Sequence, residues 1–592
     1  MKLSTVKKIK TNLKIFLDIF LLLIGIFSLF TFILVIGFHL TKPEEFFVRF
    51  VIQIIIYAFV IEELLRLLTL QNFAEHLKER WVELIITFLL LIEIIFEKPF
   101  QQVIRTIFPL LSFDQITLLY LIITQLTIFI SGIFKLIRHS TAITRLKVPP
   151  GAILSISFAT LILIGSLFLV LPKASATGVS IKYIDALFTA TSAVCVTGLI
   201  VLDTAKDFSL TGQIIILILI QLGGLGIMTL TTFFFTFVGG GLTIRMRLML
   251  KEFLSPDTFS VIGSLLKKIV FYTFVIEFFG FVILYLSLGS NIQSNHTRFF
   301  ISVFHSISAF CNAGFSLFSE NLMSPLLQNN YLFKFTVSVL IILGGIGFLT
   351  LNELTSLKFF GKRVQKIKYQ LTPTTKLVLF TTFILILGGT ILIYLGDVRS
   401  GVLGSDTFSR VFNSYFQSVT ARTAGFNTVP IEQLSVFSTI VLIFLMWVGA
   451  SPGGTGGGVK TTTFSVTILY LINYIRGKER LEIYNREIDI ETIKKSLVIV
   501  FLSIVVIFLG SAILTILEPD KNPLNLLFET TSAFGTVGLS RNTTFYIGDW
   551  SKFVLVWVMF IGRVGVLTFF SSLFKPVKEL NYSLPKVHIN VG

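Results

Sequence analysis

Charge is scarce in this 592-residue sequence. Asp, Glu, Lys and Arg make up 14% of it and hydrophobic residues 54%, whereas soluble domains carry roughly 25% charged residues. That deficit excludes a soluble globular protein. Two cysteines, Cys195 and Cys311, are too few for a disulfide framework. The six histidines fall into no metal-ligand cluster or triad pattern, which disfavours an enzyme. No cleavable leader is evident either: the apolar stretch after the five lysines of Met1–Lys14 runs past Val35 without a small-residue cleavage site.

What the chain has in abundance is apolar runs of about 20 residues, the length that crosses a hydrocarbon core roughly 30 Å thick. Spans are expected near Leu13–Ile36, Phe47–Leu70, Trp81–Phe96 and Ile116–Ile137. After a break at Pro149-Pro150 they continue near Ala152–Leu171, Thr211–Val238, Leu265–Leu288, Leu332–Leu354, Lys376–Leu395, Phe437–Ile475, Lys494–Leu517 and Lys552–Phe574. The expected fold is an all-α polytopic membrane protein with twelve crossings. Lys and Arg exceed Asp and Glu by 17. The excess gathers in Met1–Lys14, Arg138–Lys147, Gly239–Lys268, Lys358–Lys376 and the tail after Phe574. Basic loops face the cytoplasm, so both termini are expected there, and no nucleic acid is needed to explain the charge.

Internal repetition carries the function. Ala186–Leu199, Ser302–Phe315, Asn413–Phe426 and Leu526–Leu539 are similar stretches whose second-to-last residues are Gly198, Gly314, Gly425 and Gly538, spaced 116, 111 and 113 residues apart. Each lies between two spans. Further glycines follow 24 to 30 residues later, at Gly223-Gly224-Leu-Gly226, Gly344-Gly345-Ile-Gly347, Gly449 onward and Gly562-Arg-Val-Gly565. The segments before the first glycines are too short to cross, so each enters the membrane partway and returns. Such backbone is tolerated where it lines a water-filled or protein-buried path. Four of them surround one axis, and a glycine lets backbone carbonyls point inward to replace an ion's hydration shell. The candidate filter is Val196, Thr197, Gly198; Asn312, Ala313, Gly314; Thr423, Ala424, Gly425; and Thr536, Val537, Gly538. None of these residues is acidic, which favours carbonyl coordination of K⁺.

The stretches Thr191-Ser-Ala-Val-Cys-Val-Thr-Gly198-Leu, Ser418-Val-Thr-Ala-Arg-Thr-Ala-Gly425-Phe and Thr531-Ser-Ala-Phe-Gly-Thr-Val-Gly538-Leu-Ser resemble the membrane subunit of the bacterial Trk/Ktr/HKT potassium transporter superfamily, from about Pro149 onward. The resemblance implies a pseudo-fourfold pore in one polypeptide, K⁺ uptake at the cell membrane, a homodimer, and a cytosolic ring of nucleotide-binding regulatory subunits. No organic cofactor is implied, and Na⁺ stays open as a second ion. The module 149–592 would hold repeats at about 149–250, 260–360, 372–478 and 490–580.

In the third repeat the second span is interrupted by Gly449-Ala-Ser-Pro452-Gly453-Gly454-Thr-Gly456-Gly457-Gly458-Val-Lys460, which cannot stay helical. A phosphate-binding loop wants glycine directly before the lysine, and Val459 stands there. The reading is a flexible intramembrane gate formed by Gly453, Gly454, Gly456, Gly457, Gly458 and Lys460, the alternative being a plain buried helix break. Arg563, inside the last span, is costly in hydrocarbon and is expected in the pore below the filter, repelling cations as the resemblance suggests, or else in an internal ion pair or carbonyl cap that holds helices together. Nine residues before the glycines stand Thr189, His305, Phe416 and Glu529; Glu529 is expected to tune the field or to hydrogen-bond behind the filter. Cys195 and Cys311 read as packing groups, and Arg422 as paired off the axis.

Residues 1–148 form a separate four-helix module. Glu62-Glu63-Leu-Leu-Arg66 and Phe73–Glu83 resemble voltage-sensor helices, but Ile116–Ile137 holds Lys135 alone before Arg138 and Arg145. At about 2.3 kcal/mol per charge per 100 mV the expectation is a sensor-like scaffold without strong voltage sensing, the alternative being a packing or assembly domain. A secondary transporter of another solute is the competing reading, since broken helices occur there too; four same-direction repeats favour the channel-like one.

Overall fold

The structure, a computed structural model, describes residues 2–68, 150–226, 262–289, 294–356, 371–478 and 480–573, with Thr87, Phe88, Leu91 and Ile292. The described chain is mostly helical. Helices α1 (Lys2–Gly37) and α2 (Lys42–Leu68) pack on each other. They join the rest where Lys173 Nζ donates to the Val35 carbonyl at 2.8 Å and Phe32 meets Phe168 edge-on. Within α2, Arg66 Nε donates to Glu62 Oε1 at 2.8 Å, both side chains buried. Phe73–Glu83, the expected span Ile116–Ile137 and its flanking charges lie outside the described residues.

Four units follow. The first has α3 (Pro150–Val170), α4 (Tyr183–Val194) and α5 (Leu210–Leu225); the second has α6 (Ile262–Leu288), α7 (Asn295–Phe310), α8 (Tyr331–Gly345) and α9 (Phe348–Ser356). The third has α10 (Pro373–Asp397), α11 (Thr407–Thr420), α12 (Val436–Trp447) and α13 (Thr461–Ile475). A hairpin of β1 (Glu482–Ile483) and β2 (Arg486–Glu487) leads to the fourth, α14 (Ile490–Leu517), α15 (Pro523–Gly535), α16 (Asp549–Val564) and α17 (Val566–Leu573). Helix starts obey local chemistry: Ser209, Ser294, Asn330, Thr372, Asp406, Ser435 and Asn522 each accept a first-turn N–H. The Ser409 side chain and N–H bonding Asp406 hold its carboxylate below the usual pKa range.

The short helices α4, α7, α11 and α15 have 12, 16, 14 and 13 residues, about 18–24 Å at 1.5 Å per residue and too short to cross. Among the described residues, Ile19–Gly37, Lys268–Leu288, α10 and α14 are long and apolar enough to span a membrane. Outward faces suit hydrocarbon: Phe271, Phe274, Phe278 and Phe279 of α6 are all exposed. One phenylalanine per short helix, Phe188, Phe304, Phe416 and Phe528, is wholly buried in the core between units.

Two spans expected to be continuous are not. Around Gly347 (φ 92°) α8 and α9 meet at 99°, and around Gly565 (φ 93°) α16 and α17 meet at 101°. In the first unit α5 ends at Gly226 (φ 75°), and its expected continuation to Val238 lies outside the described residues. A positive φ cannot continue an α-helix, so these glycines turn the chain where an apolar run reads as unbroken.

Candidate functional site

Each short helix ends in the same backbone sequence. Two residues before the glycine the chain is left-handed, at Val196 (φ 56°), Asn312 (58°), Thr423 (74°) and Thr536 (49°), and it is positive again at Gly198 (86°), Gly314 (70°), Gly425 (78°) and Gly538 (90°). Three of the former are β-branched, for which such a φ is strained. Hydrogen bonds back to the short helix hold it: the N–H groups of Thr197, Ala313, Ala424 and Val537 donate to Ser192, Ser308, Thr420 and Ser532 carbonyls at 2.7–2.9 Å. Gly198 and Gly538 donate to the Ser192 and Ser532 hydroxyls.

With the N–H groups turned outward, the carbonyls turn to one axis. A Cβ on Gly198 would collide with the Ala313 carbonyl oxygen, one on Gly314 with that of Ala424, one on Gly425 with that of Val537 and one on Gly538 with that of Thr197. The pattern runs through units one, two, three and four and closes on the first, so the four glycines with Thr197, Ala313, Ala424 and Val537 meet in one ring, and Val196, Asn312, Thr423 and Thr536 adjoin it in the chain. Among the described residues, the carbonyls of Val196, Thr197, Asn312, Ala313, Thr423, Ala424, Thr536 and Val537 accept no hydrogen bond, although all eight residues are fully buried. Buried carbonyls are ordinarily paired; these eight leave their acceptor oxygens free for a ligand.

Behind the ring, three units brace the exit segment. His305 Nε2 lies 3.0 Å from Ser316 Oγ, Gln417 Nε2 donates to Thr428 Oγ1 at 3.4 Å, and Glu529 accepts from Ser540 Oγ (2.8 Å), Arg541 N (2.9 Å) and Thr544 Oγ1 (2.5 Å). In the third unit the brace is Gln417, eight residues before Gly425, and Phe416 at the ninth is buried in the core. Thr189 has no bonded partner for its hydroxyl among the described residues. Arg422 is buried with its guanidinium 3.4 Å from Thr382 Oγ1; both cysteines are buried, and Cys311 lies under Gly224 with its thiol near Gln221 and Glu277.

The loop between α12 and α13 lies on the other side of the ring. Its ends are clipped, Gly449 N to Val459 O at 2.8 Å and Val459 N to Trp447 O at 3.3 Å. It is stitched to the break in the second unit by Ser451 N on Gly345 O (2.9 Å), Thr455 N on Gly344 O (3.2 Å) and Phe348 N on Gly453 O (3.0 Å). Gly457 N donates to Thr536 Oγ1 at 2.8 Å, and a Cβ on Gly456 would overlap the Thr423 hydroxyl. Glycine is therefore what lets the loop seat against two ring residues. Gly453 and Gly458 take φ of 70° and 68°, and Lys460 Nζ caps Gly456 O at 2.6 Å. Arg563 donates to the carbonyls of Thr455 in the loop and Gly223 at the end of α5. It ties three units together beside the loop.

The second glycine cluster has its own reason. A Cβ on Gly223, Gly344 or Gly562 would strike the carbonyl oxygen of Val194, Phe310 or Phe534, four residues before each ring glycine. These glycines let the following span press on the end of the short helix. Sequence reasoning missed the left-handed residues, the bracing hydroxyls, and a buried carboxyl in α6, Glu277; a lone acid in an apolar span is the signal that marks it.

A family model described as TrkH, cation transport protein, matches residues 112–577. The Ktr system potassium uptake protein D of Bacillus subtilis is 37% identical over 443 residues, covering 75% of this chain and 97% of its own. The potassium/sodium uptake protein NtpJ of Enterococcus hirae is 36% identical over 454 residues, covering 76% and 98%. The crystal structure of the potassium transporter TrkH from Vibrio parahaemolyticus superimposes with a TM-score of 0.59 at 18% identity, over 77% of this chain and 91% of that one.

Proposed function

Since the chain belongs to the TrkH family of cation transport proteins, we propose that it is an integral membrane protein that takes up K⁺ across the cell membrane through the four-glycine ring. The carrying observation is the set of eight buried carbonyls without hydrogen-bond partners around one axis. A dehydrating K⁺ exchanges water oxygens for carbonyl oxygens, and the absence of a charged ring side chain keeps binding weak enough to release. Short helices whose C-termini point at the axis add the negative ends of their dipoles.

The Gly449–Lys460 loop is the gate in this reading. Seated, it places Gly456 and Gly457 against Thr423 and Thr536, while Arg563 holds Thr455 and puts a positive charge in the cation's way. Opening breaks the Gly457–Thr536 and Arg563–Thr455 bonds and withdraws the loop. A homodimer, a cytosolic nucleotide-binding regulatory ring and cytoplasmic termini are supported by family likeness and, for the termini, by the basic loops. The Enterococcus relative, a potassium/sodium uptake protein, supports Na⁺ as a second ion.

The test is growth of a K⁺-uptake-deficient bacterium on limiting K⁺, with and without a regulatory subunit, and ⁸⁶Rb⁺ uptake into proteoliposomes with Na⁺ varied. Rescue with Rb⁺ uptake is expected; failure of both refutes the assignment, and uptake that requires Na⁺ establishes coupling.

A further inference from the structure

Glu277 is the sixteenth residue of the 27 in α6 and is 5% exposed, a carboxyl at mid-span. Its Oε2 accepts from Gln221 Nε2 of α5, in the neighbouring unit, at 3.2 Å. Its Oε1 lies 3.8 Å from Cys311 Sγ, and that thiol lies 3.7 Å from Gln221 Oε1. Its backbone carbonyl accepts from Ser306 Oγ at 2.6 Å. Cys311 directly precedes the ring residue Asn312, and Gln221 stands two residues before Gly223, whose carbonyl holds Arg563. Glu277 therefore touches Cys311, next to the ring, and Gln221, two residues from the arginine's anchor.

Among the described residues no cation pairs with it. On α5 the facing polar group is Gln221, and that helix carries no charge. On α7, His305 is turned to Ile301 and Ser316, and Arg298 to Tyr285, Gly289 and Asn295. On α8, Lys334 caps Gln328 O; on α9, Glu353 accepts from Thr372 and Thr375; on α6 itself, Lys268 bonds Asn352. Arg563 is spent on Thr455 and Gly223. An intramembrane acid without a basic partner marks a proton or ion path.

The carboxyl has two hydrogen-bonding forms here. Ionised, it accepts from the Gln221 amide and the Cys311 thiol. Protonated, its O–H needs an acceptor, and the Gln221 side chain supplies one by rotating its amide so that Oε1 faces Glu277. Each form pulls differently on α5 and on Cys311.

We propose that Glu277 is a proton-binding site that links K⁺ movement to pH by setting the position of Cys311–Asn312 and of Gly223. The ionised form adds negative charge at Cys311, next to Asn312 of the ring, so K⁺ flux rises as the proton leaves. The proposal rests on the ring being the K⁺ path.

The full chain in proteoliposomes, with ⁸⁶Rb⁺ uptake measured over a pH series, tests it with Glu277→Gln and Glu277→Asp. Wild-type flux should rise roughly tenfold over about two pH units, the swing of one titrating group. Glu277→Gln should be flat at the low-pH level, and Glu277→Asp should keep the rise with a displaced midpoint. A Glu277→Gln profile that follows the wild type overturns the proposal while leaving the ring intact. If that variant does not fold, an Asp midpoint equal to wild type does the same. Flux through the wild type that follows Na⁺ and ignores pH also overturns it. No Rb⁺ uptake by the wild type at any pH overturns the ring reading, and this inference with it.

Discussion

Lys552 at the start of α16 places Nζ 2.6 Å from Asp185 Oδ1 in the first turn of α4, with both side chains 12% exposed. The pair joins the last unit to the first. It is the electrostatic clasp of a ring that one polypeptide must close from its two ends. Lys552→Met leaves the Asp185 carboxylate largely desolvated and without this partner, which should cost about 3 kcal/mol. A lower midpoint in detergent unfolding, restored by the double variant Lys552→Met/Asp185→Leu, checks it; an unchanged midpoint contradicts it.

Glu529 should matter more than its counterparts. Glu529→Ala strands the Ser540 and Thr544 hydroxyls and the Arg541 N–H, at about 3 kcal/mol for the three, and loosens the fourth exit segment. A reduced preference for Rb⁺ over Na⁺ is expected from competition uptake. Thr189→Ala, at the equivalent place with no hydroxyl partner, should leave that preference as it is.

Arg563→Ala should raise K⁺ leak roughly tenfold, since it removes both a charge at a distance of several ångströms and the anchor on Thr455. Efflux of ⁸⁶Rb⁺ from loaded vesicles at matched protein content reads this directly. Equal leak would place Arg563 in a purely structural role.

Gly456→Ala sets a methyl group against the Thr423 hydroxyl, so the loop cannot seat. Basal flux should increase in the same efflux assay with little loss of stability. Gly388→Ala, which meets open space, is the matched control and should behave as wild type.

The four short helices and the glycines that follow them were legible because a positive φ is a local demand that glycine answers at each of four equivalent places. The interrupted third unit was legible for the same reason, with Pro452 and five glycines in a span. The bends at Gly347 and Gly565 were not, because two or three glycines within an apolar run weaken a helix without having to end it. Nor were Val196, Thr423 and Thr536 as left-handed residues: β-branched side chains argue against that conformation, and tertiary hydrogen bonds impose it. Glu277 and Gln221 stand 56 residues apart in different units, so their meeting depends on packing that no spacing announces.

The ring itself is tested most directly by Gly314→Ala against Gly388→Ala, comparing ⁸⁶Rb⁺ uptake and its competition by Na⁺. A Cβ on Gly314 lies 2.7 Å from the Ala424 carbonyl oxygen at a φ of 70°, so uptake should be lost or its K⁺ preference abolished in protein that still folds. Gly314→Ala transporting with wild-type rate and selectivity would contradict the account.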